Sequence, residues 1–200
     1  MLENRNIAPD YREQAFSDIV KSYTARGRHY HNLEHLQELF RHSDRYQFQL
    51  KDKDVVAAAI FFHDVIYNPA RRDNEVKSAE FAARNLPMLG FMPEEIQMVY
   101  EFIVATQQHE LPDHPHPDLP WFLDFDLAIL GADWETYLNY TKNIRLEYRI
   151  YPDLLYKPGR RKAMEQFLMR PKIYFTEKFQ DMFETMARRN ISMEINMLIT

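Results

Sequence analysis

An apolar run, Val55-Val56-Ala57-Ala58-Ala59-Ile60-Phe61-Phe62, ends in His63-Asp64. An imidazole and a carboxylate at the edge of a hydrophobic segment are strong ligands in a place where an unpaired polar group is costly. Two arrangements answer that cost. One is a set of local hydrogen bonds at a helix end. The other is a divalent cation that takes nitrogen from neutral histidine and oxygen from aspartate. Upstream, Arg28-His29-Tyr30-His31-Asn32-Leu33-Glu34-His35 carries two histidines four apart, a spacing that shares one helix face. Asn32 reads as the N-cap, which leaves His31 outside that helix. Downstream, Leu123-Asp124-Phe125-Asp126-Leu127-Ala128-Ile129-Leu130 sets two acids among large apolar residues. Acids two apart on a helix point in different directions. Asp126 precedes Ile129 and Leu130 at helical spacing and falls on the core side, whereas Asp124 reads as a solvated or capping acid.

Further candidates surround these. Asn74-Glu75 opens a helix, so Glu75 is either a first-turn acid favoured by the helix dipole or a group that handles a proton. Arg71 and Arg72, in the loop before it, suit phosphate by their planar fork, or are simply solvated. His109 stands at a helix end. His114 and His116 alternate with proline and are expected to be exposed, and His29 and His42 are expected at the surface. Arg145 and Arg160 either reach an anionic substrate or form internal ion pairs. Tyr30 and Tyr67 flank the histidines in sequence, where a ring stacks on a base or packs in the core.

The elements that must position these groups are helical. Apolar stripes recur at Phe16, Ile19, Val20 and Tyr23; at Leu33, Leu36, Leu39 and Phe40; and at Val76, Ala79, Phe81, Ala82 and Leu86. Ile96, Val99, Phe102 and Ile103 continue the pattern, as do Trp134, Leu138, Ile144 and Tyr148. Met164, Phe167 and Leu168 precede Pro171, which should stop their helix, and a last stripe runs from Phe183 to Leu198. The run from Val55 to Phe62 is apolar all round and contains three consecutive alanines, so it reads as a central buried helix. Leu111 to Pro120 reads as a loop, because each proline biases its predecessor away from helix. The chain is therefore expected to be all-α, a single helical bundle domain over 1–200 with about eight to ten helices. Its chemistry-bearing segments lie within 28–148, and the C-terminal helices over 152–200 pack on that core.

Composition narrows the function. Two hundred residues suffice for a sizeable core without covalent staples. Cysteine is absent, which removes disulfides, thiolate metal sites and cysteine nucleophiles. With only four glycines, neither a phosphate-binding P-loop nor a dinucleotide fingerprint can be written. A net charge of −5 argues against non-specific nucleic-acid binding. No apolar stretch approaches the roughly 20 residues a bilayer demands, and the first fourteen residues carry no apolar leader. The expected compartment is the cytoplasm, with neither nucleic acid nor membrane as partner.

Taken in order, His35, His63-Asp64 and Asp126 follow an H…HD…D pattern, and the chain resembles the HD superfamily of metal-dependent phosphohydrolases. The resemblance is closer to one bacterial branch of uncharacterised predicted HD phosphohydrolases. The phrases that carry the resemblance are Arg28-x-Tyr30-His31-Asn32-x-x-His35, Phe62-His63-Asp64-Val65-Ile66-Tyr67, Asn74-Glu75-x-x-Ser78-Ala79, Asp126-Leu127-Ala128-Ile129-Leu130-Gly131 and Ile144-Arg145-x-Glu147-Tyr148. A weaker match continues from Gly159-Arg160 to Asn190. The HD pair alone has little specificity; the ordered phrases have much.

The resemblance implies an HD-type helical fold with one divalent metal ion on His35, His63, Asp64 and Asp126. Mn, Mg, Zn, Fe, Ni and Co are not distinguished by such mixed ligands. His35 fits the first-ligand position better than His31, which then acts beside the site. The implied activity is hydrolysis of a phosphomonoester or nucleotide by water activated on the metal. Glu75, His31 and Asp64 are the catalytic candidates, and Arg28, Tyr30, Asn32, Arg71, His109, Arg145 and Arg160 the substrate-binding ones. A metal- or nucleotide-binding regulatory module with little turnover and a di-iron oxygenase are the competing expectations. A small phosphorylated molecule is the expected partner, and a homo-oligomer is left open.

Overall fold

The computed structural model describes residues 9–199, with side chains from residue 13 onward. The reading of the first fourteen residues as lacking a leader falls mostly outside that span. Among the described residues the chain is all-helical, with nine α-helices, two short 3-10 turns and no strand. No helix among them is long and apolar enough to cross a membrane. The chain divides into two compact units, Met1–Phe125 and Asp126–Thr200.

The first unit contains α1 (Pro9–Tyr23), α2 (Leu33–Arg45), α3 (Lys53–Phe62), α4 (Asn74–Asn85) and α5 (Pro93–Ala105). A 3-10 turn, Leu86–Leu89, follows α4. Helix α3 is its centre. Val55, Val56, Ala57, Ala58, Ala59, Ile60 and Phe62 are all buried, as an apolar-all-round sequence requires. The alanines keep the helix slim, and α2, α4 and α5 all pack on it. Helix α2 begins where Asn32 caps it, its side-chain oxygen accepting from the backbone N–H groups of Glu34 at 2.8 Å and His35 at 3.2 Å. His31 therefore lies outside the helix, as the sequence indicates.

Helix α6 (Leu119–Leu127) carries the chain from the first unit into the second. It takes in the last two residues of the proline-rich segment, because Pro120 sits in the first turn, where no N–H is needed. The buried Asp118 just before it accepts from the N–H groups of Lys51 at 2.9 Å and Asp52 at 2.7 Å. One carboxylate thus ties the start of α6 to the chain entering α3.

The second unit contains a 3-10 turn (Ala128–Gly131), α7 (Trp134–Glu147), α8 (Asp153–Met169) and α9 (Glu177–Ile199). Helix α8 tolerates Pro158 inside it and stops before Pro171. Gly131 lies against Phe183 of α9, and a Cβ there would come within 2.5 Å of the phenylalanine Cβ, so only glycine allows this approach. Asn190, on α9, is buried and donates to the carbonyls of Leu130 at 2.9 Å and Ala132 at 2.8 Å, so it holds the same turn from the other side.

A buried polar cluster closes the second unit. Arg160 donates to Glu194 at 2.7 Å and to the Tyr140 hydroxyl at 3.0 Å, while the Tyr137 hydroxyl donates to Glu194. Arg160→Met is expected to lower stability by about 3–5 kcal/mol, because it strands the Glu194 carboxylate in the interior. Arg160→Met with Glu194→Leu should recover much of that loss. Urea unfolding of the single and double variants measures both.

Candidate functional site

Four side chains in the first unit converge. His63 is the C-cap of α3; its Nδ1 lies 2.9 Å from the Ile60 carbonyl oxygen, which fixes the ring and turns Nε2 outward. His35, in the first turn of α2, meets it with Nε2 to Nε2 at 3.1 Å. The Asp64 Oδ2 lies 3.1 Å from His63 Nε2, 3.9 Å from His35 Nε2 and 4.0 Å from His31 Nε2. Two ligand atoms held about 2.1 Å from one cation at a right angle stand about 3.0 Å apart. Separations of 3.1 Å match that spacing, and among the described residues His35 and His63 with Asp126 form a group that could hold a metal ion.

Asp126 stands on the last turn of α6 and is carried there by the helix itself. Its carboxylate and the ring nitrogens of His35 and His63 all lie within 4.8 Å of one another. His35 and His63 thus lie near Asp126 on one hand and near the Asp64 carboxylate on the other. The neighbouring Asp124 departs from expectation. It is 0% exposed, not solvated, because α6 is buried on most sides, with Phe122, Leu123, Phe125 and Leu127 covered as well.

The electrostatics follow from this crowding. Burial works against the Asp64 carboxylate, but His63, His31 and His35 outweigh it and hold Asp64 well below the usual carboxylate range. Glu75 moves the other way. It lies in the first turn of α4, half-buried; burial raises its pKa most and the Asp64 charge adds to this, while its own backbone N–H, His109 and His31 oppose. Asp64, His31 and His109 therefore all act on Glu75 electrostatically. His109 follows α5 in a left-handed backbone, with φ of +47°, the one non-glycine residue among those described to adopt it. Such strain is costly and collects at functional sites.

The remaining candidates have varied settings. Tyr67 packs on His31 with ring centroids 4.4 Å apart, and Tyr30 on His35 at 4.8 Å. Asn32 is engaged as the cap of α2 and donates to the His29 carbonyl at 3.0 Å. Arg71 forms an exposed fork with Asp73, at 2.8 and 2.6 Å. In the second unit, Arg145 is held by Asp153 and by the carbonyls of Tyr148 and Tyr151, and Arg160 by the cluster described above.

Sequence reasoning missed several supports. Asn74 donates to the Asn68 carbonyl and accepts from the Asn68 N–H, both at 3.0 Å, and Ser78 does the same for Ile66 at 3.1 and 3.0 Å. They staple the loop after His63-Asp64 to α4. His116 is not exposed as expected. It is half-buried and pairs with Asp52 at 3.0 Å, joining the Asp118 clamp. His42 and His29 are likewise half-buried, not at the surface, and His114 is exposed.

No protein-family model matches this chain, no curated protein matches it, and no solved structure matches it. The HD resemblance therefore rests on the residues themselves.

Proposed function

We propose that this chain is a metal-dependent phosphohydrolase of HD type acting on a small phosphomonoester or nucleotide. The observation that carries the reading is the pair of buried imidazoles, His35 and His63, with Nε2 atoms 3.1 Å apart and the Asp64 carboxylate beside them. His35, His63, Asp64 and Asp126 would hold one divalent cation. Two neutral imidazoles and two carboxylates suit Mn, Fe, Co, Ni or Zn without choosing sharply among them. A cation there supplies an acidified water and an electrophilic contact for a phosphoryl oxygen.

The chain's own residues divide the remaining work. Glu75 takes the proton of the attacking water; burial, and after it the Asp64 charge, raise its pKa above the ordinary value and strengthen it as a base. As the water oxygen bonds to phosphorus, the ester P–O bond breaks, and His31 in its protonated form gives the departing oxygen its proton. Tyr67 and Tyr30 pack against His31 and His35 and keep the imidazoles in place.

The test is a panel of phosphomonoesters and nucleotides assayed with chelated protein and with added Mn²⁺ or Co²⁺. Metal-dependent release of phosphate is the expected result. Protein that binds the ion but turns over nothing would replace the enzyme with a binding module. Protein that binds no ion would remove the reading altogether.

A further inference from the structure

Arg28 stands among the substrate-binding candidates, yet its guanidinium is turned inward. Nη1 donates to the His31 carbonyl and Nη2 to the Val65 carbonyl, each at 3.0 Å. Its charge also lies over two rings, 4.9 Å from the Tyr23 centroid and 5.3 Å from that of Tyr67. Both rings lead back to the same centre. The Tyr23 hydroxyl accepts from the Asp64 N–H at 3.1 Å, and Tyr67 packs on His31.

His35 and His63 need no such help, being set by the first turn of α2 and the end of α3. His31 and Asp64 lie outside the helices, on the turns that precede α2 and follow α3. The carbonyls of His31 and Val65 belong to those two turns, 34 residues apart in sequence. A single planar fork satisfies both at once.

We propose that Arg28 is the positioning residue of this centre: it locks the turn bearing His31 to the turn bearing Asp64 and so sets their separation. The inference rests on the metal reading above. Lysine keeps the charge, but as a point donor it cannot bridge both carbonyls while lying over both rings.

The test is titration with Co²⁺ alone, followed by its visible absorption, on wild type, Arg28→Lys and Arg28→Gln, with thermal melting of each. Loss of a partner that orients a metal ligand typically weakens affinity by about 10- to 100-fold. Both variants are expected to melt cooperatively, bind Co²⁺ weaker by that order, and show a shifted absorption band that reports a changed ligand geometry. Unchanged affinity and band in either folded variant would overturn the proposal and leave the metal reading standing. Loss of cooperative melting in both would make Arg28 a general folding residue and overturn it equally. A wild type that takes up no Co²⁺ would overturn the metal reading itself, and the positioning role with it.

Discussion

Asp64→Ala is expected to empty the centre while leaving the chain folded. The side chain is 14% exposed and stands in a turn beyond α3, so little packing is lost with it. What is lost is the anion that faces three imidazoles. His63, His31 and His35 keep this carboxylate ionised far below neutral pH, so at neutral pH it serves as a full negative charge toward a cation. Even a partner behind a metal ligand is worth about 10- to 100-fold in affinity, so loss of the ligand should exceed 100-fold or so. Asp124→Ala is the informative contrast. Its carboxylate is fully buried in the middle of α6, and removing a buried, partnered charge destabilises by about 3–5 kcal/mol. The expected pattern is a metal-free, normally melting Asp64 variant beside a destabilised Asp124 variant that keeps its metal in the folded fraction. Metal per folded molecule, measured by mass spectrometry with parallel melting curves, decides it. Equal metal loss in both would mean that Asp124 shares the site.

What sequence could show was governed by range. The buried nature of α3, the cap at Asn32 and the stop before Pro171 are local effects, and each is legible from a few neighbouring residues. So is the placement of His63-Asp64 at the end of an apolar run, where a polar pair must find partners. Asp124 was misjudged because helical periodicity assumes one wet face, and α6 offers little of one. His116 was misjudged because proline alternation speaks only of its loop, whereas its partner Asp52 lies 64 residues away. Arg28 is the clearest case. An arginine beside a His-Tyr-His run looks poised for phosphate, but its acceptors are backbone carbonyls, which no residue pattern records. The supports of a site are written in non-local backbone contacts, and its chemistry in side-chain types.

The second large effect is expected at Glu75. Its placement in the first turn of α4 would suit a mere dipole-complementing acid, and that role alone would lower its pKa, because the helix N-terminus favours the anion. Instead, burial raises it most and the charge of Asp64 adds to this. The loop that delivers it is fixed to α4 by Asn74 and Ser78, so Glu75 is held, not free to swing away. A positioned base contributes about 10²- to 10⁴-fold to a rate. Glu75→Gln keeps the shape and removes the proton acceptor, so turnover of a phosphate ester should fall by that order while metal content and melting temperature stay near wild type. For a base that acts on the water and not on the bound substrate, the loss should appear in kcat more than in KM. Full activity in the variant would return Glu75 to its role as a first-turn acid. Loss of the metal would instead make it a ligand or the support of one, and the general base would then have to be sought at His31 or His109, the two imidazoles that act electrostatically on Glu75.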